Sequence, residues 1–305
     1  MSDFKSGFVC IVGRPNTGKS TLTNALVGTK VAITSDKPQT TRHAIRGVVH
    51  RENGQIVLVD TPGIHRPRTL LGQRLNELVR TTWADVDVIA MCFPADQPVG
   101  PGDRMIAHDI AGMERTPKVA IVTKIDTVSK KTLADRLIDV QSLARNNGWE
   151  WAQIVPVSAV ESDNLETVID VLISELPQGP ALYPSGDVSE EPDDVMVAEL
   201  IREAALDGVR DELPHSIVVR VEEMKLREDR PENKPLMDIE AFLYVERDSQ
   251  KAIVIGKGGS RLREVGATAR KQIERMFGVP VYLHIQVKIA QDWQRDPKQL
   301  NRLGF

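Results

Sequence analysis

Apolar and polar positions follow two different rhythms along this chain of 305 residues. In the first half, short apolar runs rich in Val and Ile recur at residues 8–12, 44–50, 55–60, 86–93, 118–122 and 154–157. Their length and β-branched content read as strands, most of them buried on both faces as in a parallel sheet. Runs 44–50 and 55–60 are joined by the turn Glu52-Asn53-Gly54, so these two pair as a hairpin. Helical patterns appear at 21–27, ended by Gly28, and at 165–176, where a helix closes the first sheet. From 177 to 194 the periodicity stops. Pro177, Gly179, Pro180, Pro184, Ser185, Gly186 and Pro192 mark a linker, and its acidic end suits a helix N-terminus. Val197, Leu200, Ile201, Ala204 and Ala205 then recur at helical spacing. Strands at 217–221 and 237–245 flank a polar loop at 228–235. A short apolar helix, a glycine-rich turn, a helix through 261–275 and an alternating strand at 281–289 complete the order. The expectation is two domains, 1–178 and 195–305, with 179–194 between them.

Several of the strands end in residues that carry chemistry. The first runs into Gly13-Arg14-Pro15-Asn16-Thr17-Gly18-Lys19-Ser20-Thr21, which fits the phosphate-loop pattern G-x-x-x-x-G-K-[ST] between a strand and a helix. Many backbone N–H donors and the positive end of a helix compete there with water for a phosphate chain. Lys19 reaches the terminal phosphates, and the Ser20 hydroxyl ligates Mg²⁺. The strand at 55–60 ends in Asp60-Thr61-Pro62-Gly63. An Asp at that place holds Mg²⁺ through water, and Gly63 turns its N–H toward a γ-phosphate. The strand at 118–122 ends in Thr123-Lys124-Ile125-Asp126. A carboxylate at Asp126 accepts from guanine N1–H and the N2 amine, whereas adenine offers no donor at either position. Such a site discriminates by roughly 10⁴-fold. Lys124 lays its stem along the base and braces the phosphate loop. Val157-Ser158-Ala159 ends the last strand, and the Ala159 N–H suits guanine O6. Ligands of such sheets bind outside the carboxyl ends of the strands.

Composition changes little. The net charge of -4 does not advertise nucleic acid, so any basic surface is local. Cys10 and Cys92 both sit in apolar runs and read as core residues of a reducing compartment. No zinc spacing, signal peptide or membrane-spanning run stands out, which points to the cytoplasm and leaves a peripheral contact with the membrane's inner face open.

The ordered set G-R-P-N-T-G-K-S-T, Q-T-T-R-H, D-T-P-G, T-K-I-D and V-S-A resembles the translation-factor-related GTPases, most closely the Era family. The resemblance implies an α/β P-loop GTPase domain with a mostly parallel six-stranded sheet, followed by an α+β type II KH domain. It makes Gln39-Thr40-Thr41-Arg42-His43 the core of the first switch, with Thr41 ligating Mg²⁺ in the GTP form, and it starts the second switch at Gly63. Ile64 stands where many GTPases place a water-positioning Gln, so basal turnover is expected to be slow. Asn16 matches the Asn that binds K⁺ in some relatives, and K⁺ there supplies the charge of an arginine finger. The bland alternative is that Asn16 only caps the loop. Thr123 replaces the usual Asn of the fourth motif, which puts nucleotide affinity, though not guanine selectivity, in question.

In the second half the order helix, strand, strand, helix, G-x-x-G, helix, strand is that of a KH domain. Gly256-Lys257-Gly258-Gly259 is the loop that clamps a single-stranded backbone. Ile255 leads into it. Lys251, Lys257, Arg261, Arg263, Arg270, Lys271 and Arg275 outnumber Glu264 and Glu274, the local basic stripe expected for RNA. The Era resemblance, which extends to the tail from Asp292-Trp293 to Phe305, implies recognition of the 3′ end of 16S rRNA and a role in 30S subunit assembly. Trp293 reads as packing residue rather than base-stacking platform. The rival readings are an RNA-binding assembly factor with a vestigial nucleotide site, and a membrane-associated signalling GTPase whose second domain binds protein.

Overall fold

The computed structural model describes residues 4–37, 39–64, 67–209, 213–228, 230–231 and 233–305. Pro38 of the switch loop, His65 and Arg66 after Ile64, and Asp229 and Glu232 of the 228–235 loop therefore lie outside the described residues. The chain divides into two compact units. One holds the described residues of 1–34, 41–67 and 72–190, the other those of 35–40, 68–71 and 191–305.

In the first unit the elements run β1 (Lys5–Val12), α1 (Lys19–Val27), β2 (Ile45–Arg51), β3 (Gly54–Asp60), α2 (Leu70–Ala84, of which 70 and 71 count with the other unit), β4 (Val88–Pro94) and α3 (Pro101–Ala111). They continue with β5 (Lys118–Thr123), α4 (Lys130–Asn146), β6 (Gln153–Pro156) and α5 (Leu165–Glu175). Among the described residues the strands form one six-stranded sheet of order β2-β3-β1-β4-β5-β6. Every neighbouring pair is parallel except β2–β3. β3, β4 and β5 are buried at every position, as continuous apolar runs in a two-sided sheet require. One layer beside the sheet gathers Leu22, Leu26, Val168, Ile169 and Leu172 against Ile11 and Leu58. The opposite layer gathers Val79, Trp83, Ile106, Ile110 and Leu143 against Val12, Phe93 and Val122. Helices α2, α3 and α4 of this second layer are not among the expected elements, although Leu75, Val79 and Trp83 of α2 recur at helical spacing and are buried.

The proline-rich segment is bonded along this unit as far as Glu190. The Val48 N–H donates to the Val188 carbonyl (3.0 Å), Gln55 Oε1 accepts from the N–H groups of Leu182 and Tyr183 (2.6 and 2.9 Å), and Arg46 pairs with Glu190 (2.6 Å). The Val48 bond occupies a backbone donor on the otherwise open edge of β2, and the side-chain bonds hold the segment beside it.

The second unit adds α6 (Asp193–Leu206), α7 (Leu213–Ser216), β7 (Val218–Leu226), β8 (Met237–Val245), α8 (Asp248–Ile255), α9 (Ser260–Phe277), β9 (Val281–Ile289) and α10 (Pro297–Leu303). Its sheet has the order β7-β8-β9, with β7–β8 antiparallel and β8–β9 parallel. Val197, Ile201, Val265, Ala269 and Ile273 are buried on its helices, and Ile239, Ala241 and Leu243 on its central strand. Trp293 is fully buried, its indole N–H donates to the Ser216 carbonyl (3.0 Å), and its ring stacks on Phe305. It packs, as its context suggests.

Candidate nucleotide site and RNA clamp

At the carboxyl ends of β1 and β3 the sheet brings three hydroxyl or carboxylate groups together. Ser20 Oγ donates to Asp60 Oδ2 (2.6 Å) and lies 3.0 Å from Thr41 Oγ1, which reaches the same carboxylate oxygen at 3.5 Å. Asp60 is fully buried, and its other oxygen, Oδ1, is buried without a hydrogen-bond partner. Oxygen donors converging beside an orphaned carboxylate oxygen fit a hard divalent cation such as Mg²⁺. Burial pushes the Asp60 carboxyl up to about 6, with the Lys19 ammonium and the Ser20 and Thr41 hydroxyls pulling the other way. Burial lowers the pKa of Lys19, against Asp60. Each group thus lacks full compensation for its charge, a deficit that a cation and phosphates would fill.

The phosphate loop is held from several sides. Lys19 Nζ donates to the carbonyls of Arg14 (2.8 Å) and Gly13 (3.2 Å), and Thr17 Oγ1 to that of Arg14 (3.1 Å). Asn16 is exposed and left-handed (φ 63°) at the tip, and Thr21 is half-buried in the first turn of α1. Thr61 is buried and its hydroxyl donates to the Ile11 carbonyl (2.8 Å), pinning β3 to β1 above Pro62 and Gly63. At Gly63 the backbone comes so close to the loop that a Cβ would sit 2.7 Å from Pro15 N. Only glycine allows that approach. Ile64 turns the other way, 2 % exposed, into the core layer with Val79 and Trp83. Its side chain is a core residue, which explains why an apolar group stands there.

Thr123, in place of the usual Asn, keeps a direct contact with the phosphate loop. Its hydroxyl donates to the Thr17 carbonyl (2.6 Å) and approaches that of Phe93 (3.3 Å), so the side chain itself ties β5 to the phosphate loop. Thr123 thus braces the loop from the end of β5, next to Lys124, which is expected to do the same. Lys124 is left-handed (φ 58°), with its ammonium 3.6 Å from Asp96. Thr123→Ala leaves the buried Thr17 carbonyl without this donor, and GDP affinity is expected to fall about tenfold in equilibrium titration. Asp126 sits exposed in a short 3₁₀ turn (Ile125–Thr127), where Oδ1 accepts from the Ser158 hydroxyl (2.5 Å). The Ile125 N–H meets the Val157 carbonyl at 3.5 Å, and Ala159 is half-buried on the core beside it. Arg42 is buried and His43 half-buried. Within the second unit, Gln39 Oε1 lies 3.0 Å from His215 Nδ1, and the Thr40 carbonyl accepts from Arg202, itself paired with Glu199.

In the second unit the glycine loop joins α8 to α9, with Gly256, Gly258 and Gly259 all at positive φ (71°, 59° and 75°). Lys257 and Gly258 are exposed, Ile255 and Lys251 half-buried. Arg263 donates to the Gly258 carbonyl (2.9 Å) and remains exposed. Arg261 goes elsewhere. It donates to the Asp207 carbonyl (2.5 Å) beyond the end of α6, where its charge answers a helix C-terminus. Beside the loop, α9 and β9 enclose a groove of about 530 Å³ lined by Leu262, Gly266 and Ala267 and by Leu283 and Ile285, with Arg263 and Arg270 also facing it. The small pair Gly266-Ala267 opens that floor. Its sequence signal is the run of small residues Gly266-Ala267-Thr268-Ala269 within α9.

Fold and site define a phosphate-loop GTPase carrying a KH domain. The 50S ribosome-binding GTPase family matches residues 8–124 and the KH domain family residues 212–294. GTPase Era of Streptomyces coelicolor is 64% identical over 301 residues, covering 99% of this chain and 95% of that protein. GTPase Era of Mycolicibacterium smegmatis is 63% identical over the whole of both chains. The chain belongs to the Era GTPase family. It is also similar, at 35% identity and a TM-score of 0.92 over 99% of both chains, to the crystal structure of Era in complex with MgGDPNP and nucleotides 1506–1542 of 16S ribosomal RNA. A second similar structure, at 34% identity and TM-score 0.92 over 98% of this chain and 99% of that one, is Aquifex aeolicus Era bound to GDP and aluminium fluoride.

Proposed function

We propose that this chain hydrolyses GTP with Mg²⁺ held through Ser20, Thr41 and Asp60, and clamps the unpaired 3′ end of 16S rRNA in its KH groove during small-subunit assembly. The observation that carries the reading is the convergence of those three side chains beside Lys19. Mg²⁺ supplies positive charge to the β and γ phosphates. Lys19 adds its own, and the backbone donors of the loop and of Gly63 stabilise the charge that moves onto the leaving phosphate. Asp126 selects guanine, and Ala159 adds its N–H to O6. Because Ile64 is a core residue, no side chain at that place orients the attacking water, and basal turnover is slow.

The likeness to an Era bound to MgGDPNP and 16S rRNA supports both halves. The exposed Lys257 and the groove beside it support the RNA half. Gln39 and Thr40 of the switch loop keep their partners His215 and Arg202 within the second unit, so RNA affinity is expected to differ between GTP and GDP. A GTPase assay on the full chain with Lys19→Ala as control tests the reading. Turnover that survives Lys19→Ala undiminished overturns it. In the same assay Asn16, exposed at the loop tip, favours K⁺: hydrolysis is expected to be faster in K⁺ than in Na⁺, and Asn16→Ala to erase the difference. Equal rates in both salts leave Asn16 as a loop cap.

A further inference from the structure

The connection between β4 and α3 has no part in the mechanism above, yet it is shaped around one side chain of the phosphate loop. Asp103, in the first turn of α3, is fully buried. Its Oδ2 accepts from the Gly100 N–H (2.8 Å), and its Oδ1 accepts from Arg14 Nε (2.8 Å). Arg14 also donates to Gln97 Oε1 at 3.4 Å. Its aliphatic stem lies over Gly102, where a Cβ would stand 2.7 Å from Cδ and 3.0 Å from Cγ. Glycine at 102 and a carboxylate at 103 therefore make a seat for one guanidinium. At the other end of Arg14, the backbone carbonyl accepts from Lys19 Nζ (2.8 Å) and from the Thr17 hydroxyl (3.1 Å).

We propose that Asp103 is a positioning residue for nucleotide binding: by fixing the Arg14 side chain it sets the Arg14 carbonyl, and that carbonyl aims Lys19. The inference rests on the reading of residues 13–21 as the phosphate site. The physical argument is one of order. An ammonium on a four-carbon stem has many rotamers and binds phosphate best when few remain. Carbonyls in fixed places remove the others. A loop carbonyl stays fixed only if its own residue is anchored, and a charge-assisted bond to a buried carboxylate is a stiff anchor. The same connection carries Asp96, 3.6 Å from the Lys124 ammonium, so it borders the base-reading turn as well. Arg14 does not act on the phosphates here; its guanidinium is turned toward α3.

The test is titration of the full chain with GDP and with a non-hydrolysable GTP analogue, alongside KM and kcat for GTP and the melting temperature of each variant. Asp103→Asn is expected to weaken both nucleotides about tenfold, the scale of one charge-assisted hydrogen bond, raising KM more than it lowers kcat. Arg14→Gln is expected to do the same, and the double variant to be no worse than Asp103→Asn alone, since Arg14→Gln removes a contact that Asp103→Asn already weakens. If Asp103 serves only to close α3, Asp103→Asn lowers the melting temperature with unchanged affinity and Arg14→Gln does nothing to binding; that result overturns the proposal. Should Asp103→Asn not fold, Gly102→Ala displaces the Arg14 stem while leaving the carboxylate, and unchanged affinity in that variant overturns it equally. Lys19→Ala separates the two readings: if it binds nucleotide like the parent chain, the phosphate site itself is wrong, whereas a loss there with none in the Asp103 and Arg14 variants removes the positioning role alone.

Discussion

Replacing Lys257 and Gly258 together by Asp lowers affinity for single-stranded RNA by about 100-fold or more, while GTP binding and basal hydrolysis stay at the parent level. The double change removes one exposed cation and adds two anions at the turn where a phosphate must approach the main chain. Position 258 is left-handed (φ 59°) and exposed, with nothing within 4 Å of a built Cβ. Asp tolerates that conformation better than most residues, so the fold survives. Filter binding at several salt concentrations checks the cause. The parent's affinity falls with salt, and the variant's slope is shallower because fewer phosphates are neutralised. If RNA affinity is unchanged, the glycine loop does not hold the RNA, and the second domain has another partner.

Asp126→Asn exchanges one purine for another. With the carboxylate gone, the acceptor for guanine N1–H and N2 is half lost and an amide donor faces the ring. GTP affinity is expected to drop about 10³-fold, and xanthosine triphosphate, which presents oxygen where guanine has an amine, to bind better than GTP. The Ser158 hydroxyl, which donates to Asp126 Oδ1, retains an acceptor in the Asn carbonyl oxygen, so the 3₁₀ turn keeps its anchor. Competition of labelled GTP by each triphosphate measures the switch. A variant that still prefers GTP places the base elsewhere.

The sequence made the first sheet legible because most of its strands are continuous apolar runs, four of them with chemistry at the carboxyl end, and β3, β4 and β5 fall close to their expected bounds. The alternation at 281–289 is likewise visible as β9, although Ile289 is exposed at 40 % despite sharing the apolar face. What stayed hidden were bonds between residues far apart in sequence. Thr123 reads as a shortened Asn until its hydroxyl is seen on the Thr17 carbonyl, 106 residues away. Arg261 reads only as part of a basic stripe until its bond to the Asp207 carbonyl, 54 residues away, is seen. Arg14 and Asp103 are 89 residues apart, and neither spacing nor periodicity connects them. Local pattern specifies elements and motif chemistry; which charged side chain faces solvent and which is held inside is decided by tertiary packing.

The most direct test of a GTPase joined to a single-strand clamp is crosslinking of the full chain to RNA in cells, followed by sequencing, with the Lys257→Asp/Gly258→Asp variant in parallel. The account predicts reads concentrated at the 3′ end of 16S rRNA for the parent chain and their loss in the variant. Equal enrichment in both, or reads spread without preference over the ribosomal RNA, would contradict it.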